Sequence, residues 1–361
     1  MKKLRIRYIF PVYNILEIEE FNYENEFSNI KFNINIKTYD ERKNHYDECL
    51  KVFDTEDKKL VYELFDLVEN QEKIYNFSQS KTLLVIDFET QYFSNEVDDI
   101  KSFEEKAKKF NYSEILRSIL ETLHLILPYG LGYYKYISKE NNSYLTLTSH
   151  GGNTTFFNGF AIHIPHEKPY TFSPLVDVVL MRLKKKDLIQ FDNILENIYS
   201  LKIKKSNQYS RIIKQSIDYH IQVKTFLNSE QAFVILMIAI EAMFKKSDKL
   251  HKDIPFLAKL FSDTEMEYTT VLYKFKEKNK EQNRNEFFIG IRNNIVHGDE
   301  FIEKNEMNKK VLELYEYVRK SILLIMKINS KKALVNYYDD LFEQVQKEYN
   351  ERLSKTSPSK Q

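Results

Sequence analysis

In the segment EFFIGIRNNIVHGDE, Glu286 to Glu300, an arginine, two asparagines and a histidine fall within six residues of an otherwise apolar run. An imidazole transfers protons near neutrality, a guanidinium stabilises a phosphate or an oxyanion, and an amide can orient either group. On a helix at about 100° per residue, Arg292 and His297 do not share a face, whereas Asn293 and His297, four apart, do. Gly298 suits the left-handed position that closes a helix, which puts His297 in the last turn. There the negative end of the helix dipole favours an imidazolium, which could approach Arg292 across the open end. The same residues could instead be a helix stop, with Arg292 and His297 capping the final carbonyls. With eight histidines in the chain the bare spacing carries little specificity. Its context carries more, because three polar residues stand between Ile291 and Ile295 and polar groups so placed usually have a partner.

One carboxylate belongs with this question. Glu241 interrupts the apolar run AFVILMIAIEAMF, Ala232 to Phe244, and carboxylates are rarely buried unless paired. It either holds Arg292 in place as a supporting partner or faces solvent at a helix edge. Just before the motif, KFKEKNKEQNR sets five basic side chains, Lys274, Lys276, Lys278, Lys280 and Arg284, against two acidic ones. These could track RNA phosphates, or form a solvated helix face. His163 and His166 in HIPH have a metal-ligand spacing, but no cysteines or clustered carboxylates accompany them, so no metal is expected. SHGGN, from Ser149, reads as a hairpin turn between two strand-like runs. No Walker loop, nucleophile elbow or dinucleotide fingerprint occurs, and no cofactor is expected.

The elements that must position these residues differ between the two halves of the chain. Early segments alternate apolar and polar residues, as in LRIRYIF and FNINIK (Leu4, Ile6, Tyr8, Phe10; Phe32, Ile34, Ile36), the period of a half-buried strand. TLLVIDF, YLTLTS and GFAIHI extend the sheet. Among them SEILRSILETLHLILP carries a helical stripe, Ile115, Ile119, Leu123 and Ile126, ended by Pro128. SPLVDVVLMRL reads as a second helix, with Ser173 at the N-cap and Pro174 at the first helical position.

From about residue 187 the strand pattern gives way to helices. Four stripes follow: Tyr209, Ile212, Ile213, Ile217, His220 and Val223; Ala232 to Phe244; Phe288 to Val296; and Met307, Val311, Leu314, Val318, Ile322 and Ile325. Four such stripes suit a helical bundle. Leu334, Tyr337, Leu341 and Val345 mark a further amphipathic stretch before a polar tail, SKTSPSKQ. The expected class is α+β: a mixed α/β region over residues 1–200 containing a sheet, a helical domain over 201–350 beginning near the lysine-rich LKIKKSNQ, and a disordered tail over 351–361.

Composition limits the function classes. A net charge of +1 creates no whole-molecule pull towards nucleic acid or a membrane, so any such attraction must be local. Abundant lysine, asparagine and isoleucine bear the stamp of an AT-rich genome, which weakens lysine content as a sign of nucleic-acid binding. Cys49, the single cysteine, excludes an intrachain disulfide framework and fits a reducing compartment; the cytoplasm is the expected location. The run Ala232 to Phe244 is shorter than the roughly 20 residues needed to span a bilayer, so a core helix is expected and no membrane partner. At the N-terminus MKKLRIRYIF interleaves apolar residues with arginine, unlike the continuous core of a signal peptide.

RNNIVHG resembles the Arg-x4-6-His signature of HEPN domains, including the polar residue directly after the arginine, here Asn293. EQAFVILMIAIEAMF is similar to the helix that precedes the motif in the Apea-like branch of that family. The order of helices resembles that branch from Ser206 to Ile328, while the first 200 residues resemble no family. The resemblance implies a helical bundle that forms a homodimer, with motifs from two protomers lining one cleft. It also implies, in active members, a metal-independent endoribonuclease in which the ribose 2′-hydroxyl attacks the adjacent phosphate. In that reading His297 moves protons, Arg292 meets the phosphate and Asn293 orients either one. The setting it suggests is prokaryotic antiphage defence or a toxin, with tRNA among the candidate substrates. Residues 1–200 would then sense a phage-derived or other trigger, or restrain the nuclease. The alternative is an inactive HEPN module that serves for binding or dimerisation.

Overall fold

The computed structural model describes residues 2–12, 15–27, 30–38, 82–92, 112–127, 135–140, 144–149, 152–157, 160–165, 181–203, 208–223, 228–244, 274–275, 288–298 and 302–326, with Lys347 and Glu351. The chain is α+β and divides into two compact units, one of residues 1–172 and 178–199 and the other of residues 173–177 and 200–361.

In the first unit, period-2 alternation builds one antiparallel sheet. Strand β4 (Ile30–Thr38) buries Ile30, Phe32, Ile34 and Ile36 and turns Lys31, Asn33, Asn35 and Lys37 the other way. Its partner β5 (Thr82–Tyr92) sets Phe88, Ile86 and Leu84 opposite Phe32, Ile34 and Ile36. Strand β1 (Lys2–Val12) continues these rows with Ile6, Tyr8 and Phe10. The edge strand β3 (Phe21–Phe27) lies beyond β4, and β6 (Lys135–Glu140), β7 (Tyr144–Ser149), β8 (Gly152–Phe157) and β9 (Phe160–Pro165) run outward from β1 as a meander. Ser149 stands opposite Gly152, as a hairpin at SHGGN requires.

Helix α1 (Tyr112–Ile126) buries the expected Ile115, Ile119, Leu123 and Ile126. Helix α2 begins at Phe191 and ends at Ile203; its Phe191 packs edge-on against Tyr23 at 4.8 Å, and Tyr199 stacks on Phe27 at 4.5 Å. On the opposite face of the sheet polar groups pair around Asn33 and Asp87, while Ile9 and Leu83 on that side are buried. Asn33 Nδ2 donates to Glu24 at 3.3 Å, and Arg7 pairs with Asp87 through two donors, Nη2 to Oδ2 at 2.8 Å.

One expectation needs correcting. The segment SPLVDVVLMRL does not end as a helix: Met181–Leu183 is a strand, β10, paired in parallel with β2 (Ile15–Ile18). Its apolar residues satisfy either period over so short a span, and the available edge of β2 decides between them. Ser173 and Pro174 lie outside the described residues. A buried polar chain ties β2 to the main sheet: Thr82 Oγ1 donates to Ile15 O at 2.8 Å, the Thr38 and Thr82 hydroxyls are 2.9 Å apart, and Ile18 N donates to Thr38 Oγ1 at 3.1 Å.

The second unit is helical among its described residues. Helix α3 (Gln208–Gln222), α4 (Ser229–Phe244), α5 (Phe288–His297) and α6 (Lys304–Met326) correspond to the four stripes. Helix α4 packs against α3, α5 and α6, which explains why it buries Ala232, Phe233, Leu236, Met237, Ala239, Ile240 and Met243, residues on several sides of one helix. Asn228 caps it, its Oδ1 accepting from Glu230 N at 2.7 Å. Leu334 to Val345 and residues 352–361 lie outside the described residues; Glu351, the first residue of the expected disordered tail, is helical. No helix among the described residues is long and apolar enough to cross a membrane.

Candidate functional site

Helix α5 is anchored at its start and open at its end. Phe288, fully buried, meets Phe233 of α4 edge-on at 5.8 Å, Phe275 at 5.0 Å and Tyr317 of α6 at 5.7 Å. Phe275 also meets Tyr317, at 5.3 Å, so four aromatic rings fix this end of the helix. Ile289, Gly290 and Ile291 are buried too, Arg292, Asn293 and Ile295 are half-buried, and Val296, His297 and Gly298 are exposed. Val296 is one of two large apolar side chains exposed among the described residues, at 54%. Gly298 has φ +70°, the left-handed closing conformation expected of it, with open space where a Cβ would stand.

Arg292 reaches across to α4. Its Nη2 lies 3.6 Å from Glu241 Oε1, with the two side chains 33% and 23% exposed. Nη1 lies 3.5 Å from Asn293 Oδ1, at the outer limit of a hydrogen bond, while the buried Nε has no partner among the described residues. Glu241 therefore faces Arg292 and not solvent at a helix edge. His297 ends the helix, exposed, five residues on from Arg292, and its side chain forms no hydrogen bond or ion pair among the described residues. The structure thus gathers Arg292, Asn293 and Glu241, and His297 closes the same helix with no side-chain hydrogen bond or ion pair to them among the described residues.

Asn294 is the residue that sequence reasoning passed over. It is 1% exposed and faces into the bundle, unlike Asn293 beside it. The signal was present in the helical spacing: Asn294 stands three and four positions after the buried Ile291 and Gly290.

The weaker candidates separate. Lys274 Nζ is 3.0 Å from Glu313 Oε1 on α6, so its charge is already matched within the unit. Burial, with the Glu313 carboxylate adding to it, pushes the Tyr317 hydroxyl up to about 12. Lys276, Lys278, Lys280 and Arg284 lie outside the described residues. His163 sits in β9 opposite Thr154, and His166 lies outside the described residues. No group of three His, Cys, Asp or Glu side chains gathers as a metal site among the described residues. His220, in the α3 stripe, is fully buried with its ring stacked on Tyr315 at 3.8 Å and Nε2 3.2 Å from Tyr315 O, a core role.

No protein-family model, curated protein or solved structure matches this chain.

Proposed function

We propose that the second unit is an Apea-like HEPN domain that cleaves RNA without a metal. The observation that carries this reading is the exposed end of α5, where Arg292 is held beside Glu241 and Asn293 while the exposed His297 closes the same helix. Cleavage by this route needs three things: a group to take the proton of the 2′-hydroxyl as that oxygen attacks phosphorus, a group to protonate the departing 5′-oxygen, and positive charge beside the phosphorane. Arg292 supplies the charge in a planar fork suited to phosphate. Asn293 orients the guanidinium or the phosphate. His297 moves the protons, and because one imidazole cannot be base and acid at once, a homodimer joining two motifs supplies both. The products are a 2′,3′-cyclic phosphate and a 5′-hydroxyl. Residues 1–200 act as the sensor or restraint, in a prokaryotic defence or toxin setting.

A second reading, an inactive HEPN scaffold, draws on the net charge of +1 and on the exposed Val296 next to the histidine, which suits a protein contact better than RNA. The discriminating experiment incubates the full chain with total RNA and with tRNA in excess chelator and maps the ends. New cyclic-phosphate ends that vanish with His297→Ala support the nuclease. Intact RNA over a range of protein concentrations supports the scaffold.

A further inference from the structure

A guanidinium has five N–H donors, and those of Arg292 are poorly used. The Glu241 carboxylate stands 3.6 Å from Nη2, beyond the 2.7–2.9 Å typical of a charge-assisted hydrogen bond. Asn293 Oδ1 is hardly nearer at 3.5 Å, and the buried Nε has no partner among the described residues. Glu241 supplies Arg292 with an opposite charge without saturating its donors. A third of the side chain remains open to solvent, where an oxyanion can approach.

We propose that Glu241 competes with a bound oxyanion for Arg292, so that the carboxylate limits how tightly the site holds phosphate. The inference rests on the assignment of Arg292 to phosphate in the reading above. In the empty site Glu241 balances the guanidinium across the α4–α5 contact. When a phosphate takes the open donors, two anions flank one cation, and the repulsion between them loosens the bound group. The effect is to keep the product phosphate from being retained between turnovers.

This differs in sign from a purely supporting role. If Glu241 only oriented Arg292, removing its charge would weaken anion binding, whereas under competition the same change strengthens it. The test titrates inorganic phosphate into the full chain by calorimetry, with circular dichroism to verify that each variant is folded. Glu241→Gln, similar in shape and uncharged, should bind phosphate more tightly, on the order of fivefold, as expected for removing a unit charge about 6 Å away in largely aqueous surroundings. Arg292→Ala should lose the binding, and Glu241→Gln on that background should restore none of it. Glu241→Asp keeps the charge and withdraws it by one methylene, so a gain between wild type and Glu241→Gln is expected. Unchanged or weaker phosphate binding by folded Glu241→Gln overturns the proposal, as does an absence of binding in both wild type and Glu241→Gln. A chain that shows the fivefold gain yet cleaves no RNA retains the competition and loses the nuclease reading. A chain that cleaves RNA without the gain loses only the competition.

Discussion

Arg292 Nη2 and Glu241 Oε1 lie 3.6 Å apart, joining the motif helix α5 to the apolar helix α4 through a pair that neither side buries completely. Burial of this degree decides what the pair contributes. A fully buried pair broken at one end costs about 3–5 kcal/mol, whereas exposed pairs contribute about 0.2–1 kcal/mol. With side chains 33% and 23% exposed, the coupling should fall near the upper end of the exposed range, about 1 kcal/mol. A double-mutant cycle with Glu241→Gln and Arg292→Ala, read by urea unfolding, measures it. A coupling indistinguishable from zero would remove Glu241 from the site.

If the nuclease reading holds, His297→Ala and Arg292→Ala should each abolish RNA cleavage, by at least about a hundredfold for loss of a proton-transfer group. Both variants should stay folded, because His297 is exposed and Arg292 is half-buried. Asn293→Ala should reduce the rate less. Cleavage assays paired with thermal unfolding separate the outcomes: wild-type rates would end the catalytic assignment, and a collapse of stability would favour helix capping.

Light scattering of the full chain should give twice the mass of one chain, with the contact in the helical unit. Val296→Asp should shift it towards the monomer by placing a charge on the exposed apolar residue beside the motif. An active monomer, or a dimer that persists on deleting the helical unit, would contradict this arrangement.

Phe288→Ala should destabilise the chain by about 3–5 kcal/mol, the usual range for emptying a buried aromatic site. It would release the start of α5 from Phe233, Phe275 and Tyr317, so RNA cleavage should fall with stability although no motif residue changes. Urea midpoints and rates measured on one preparation test whether the two losses move together.

Tyr317 gives the folded state an alkaline limit. Folding lifts its hydroxyl from the ordinary 10.0 to about 12, so between those values the folded chain keeps a proton that the unfolded chain has lost. The stabilisation is whole below pH about 10 and drains away as pH rises towards about 12. Compared with Tyr317→Phe, wild type should therefore lose relative stability across that window and show no pH-dependent difference below it. Parallel slopes for the two proteins from pH 9 upward, in urea titrations, would contradict the assignment.

How much of this was legible before the structure depended on the range of each interaction. The alternation of Phe32, Ile34 and Ile36 specifies a strand, and the spacing of Met307, Val311, Leu314, Val318, Ile322 and Ile325 specifies a helix, because a local period decides which residues share a face. Gly298 was legible for the same reason, since a left-handed helix stop suits a residue without a Cβ. The edge strand β3 was legible too, in the alternation of Phe21, Tyr23 and Phe27 with Asn22, Glu24 and Glu26, although it was passed over. What the tertiary structure alone decided was partnership. Nothing local puts β1 between β5 and β6, makes Met181–Leu183 a strand beside β2, pairs Lys274 with Glu313, or turns Glu241 towards Arg292 and not towards water. Each depends on which distant segment packs alongside, and periodicity within one segment carries no information about its neighbour.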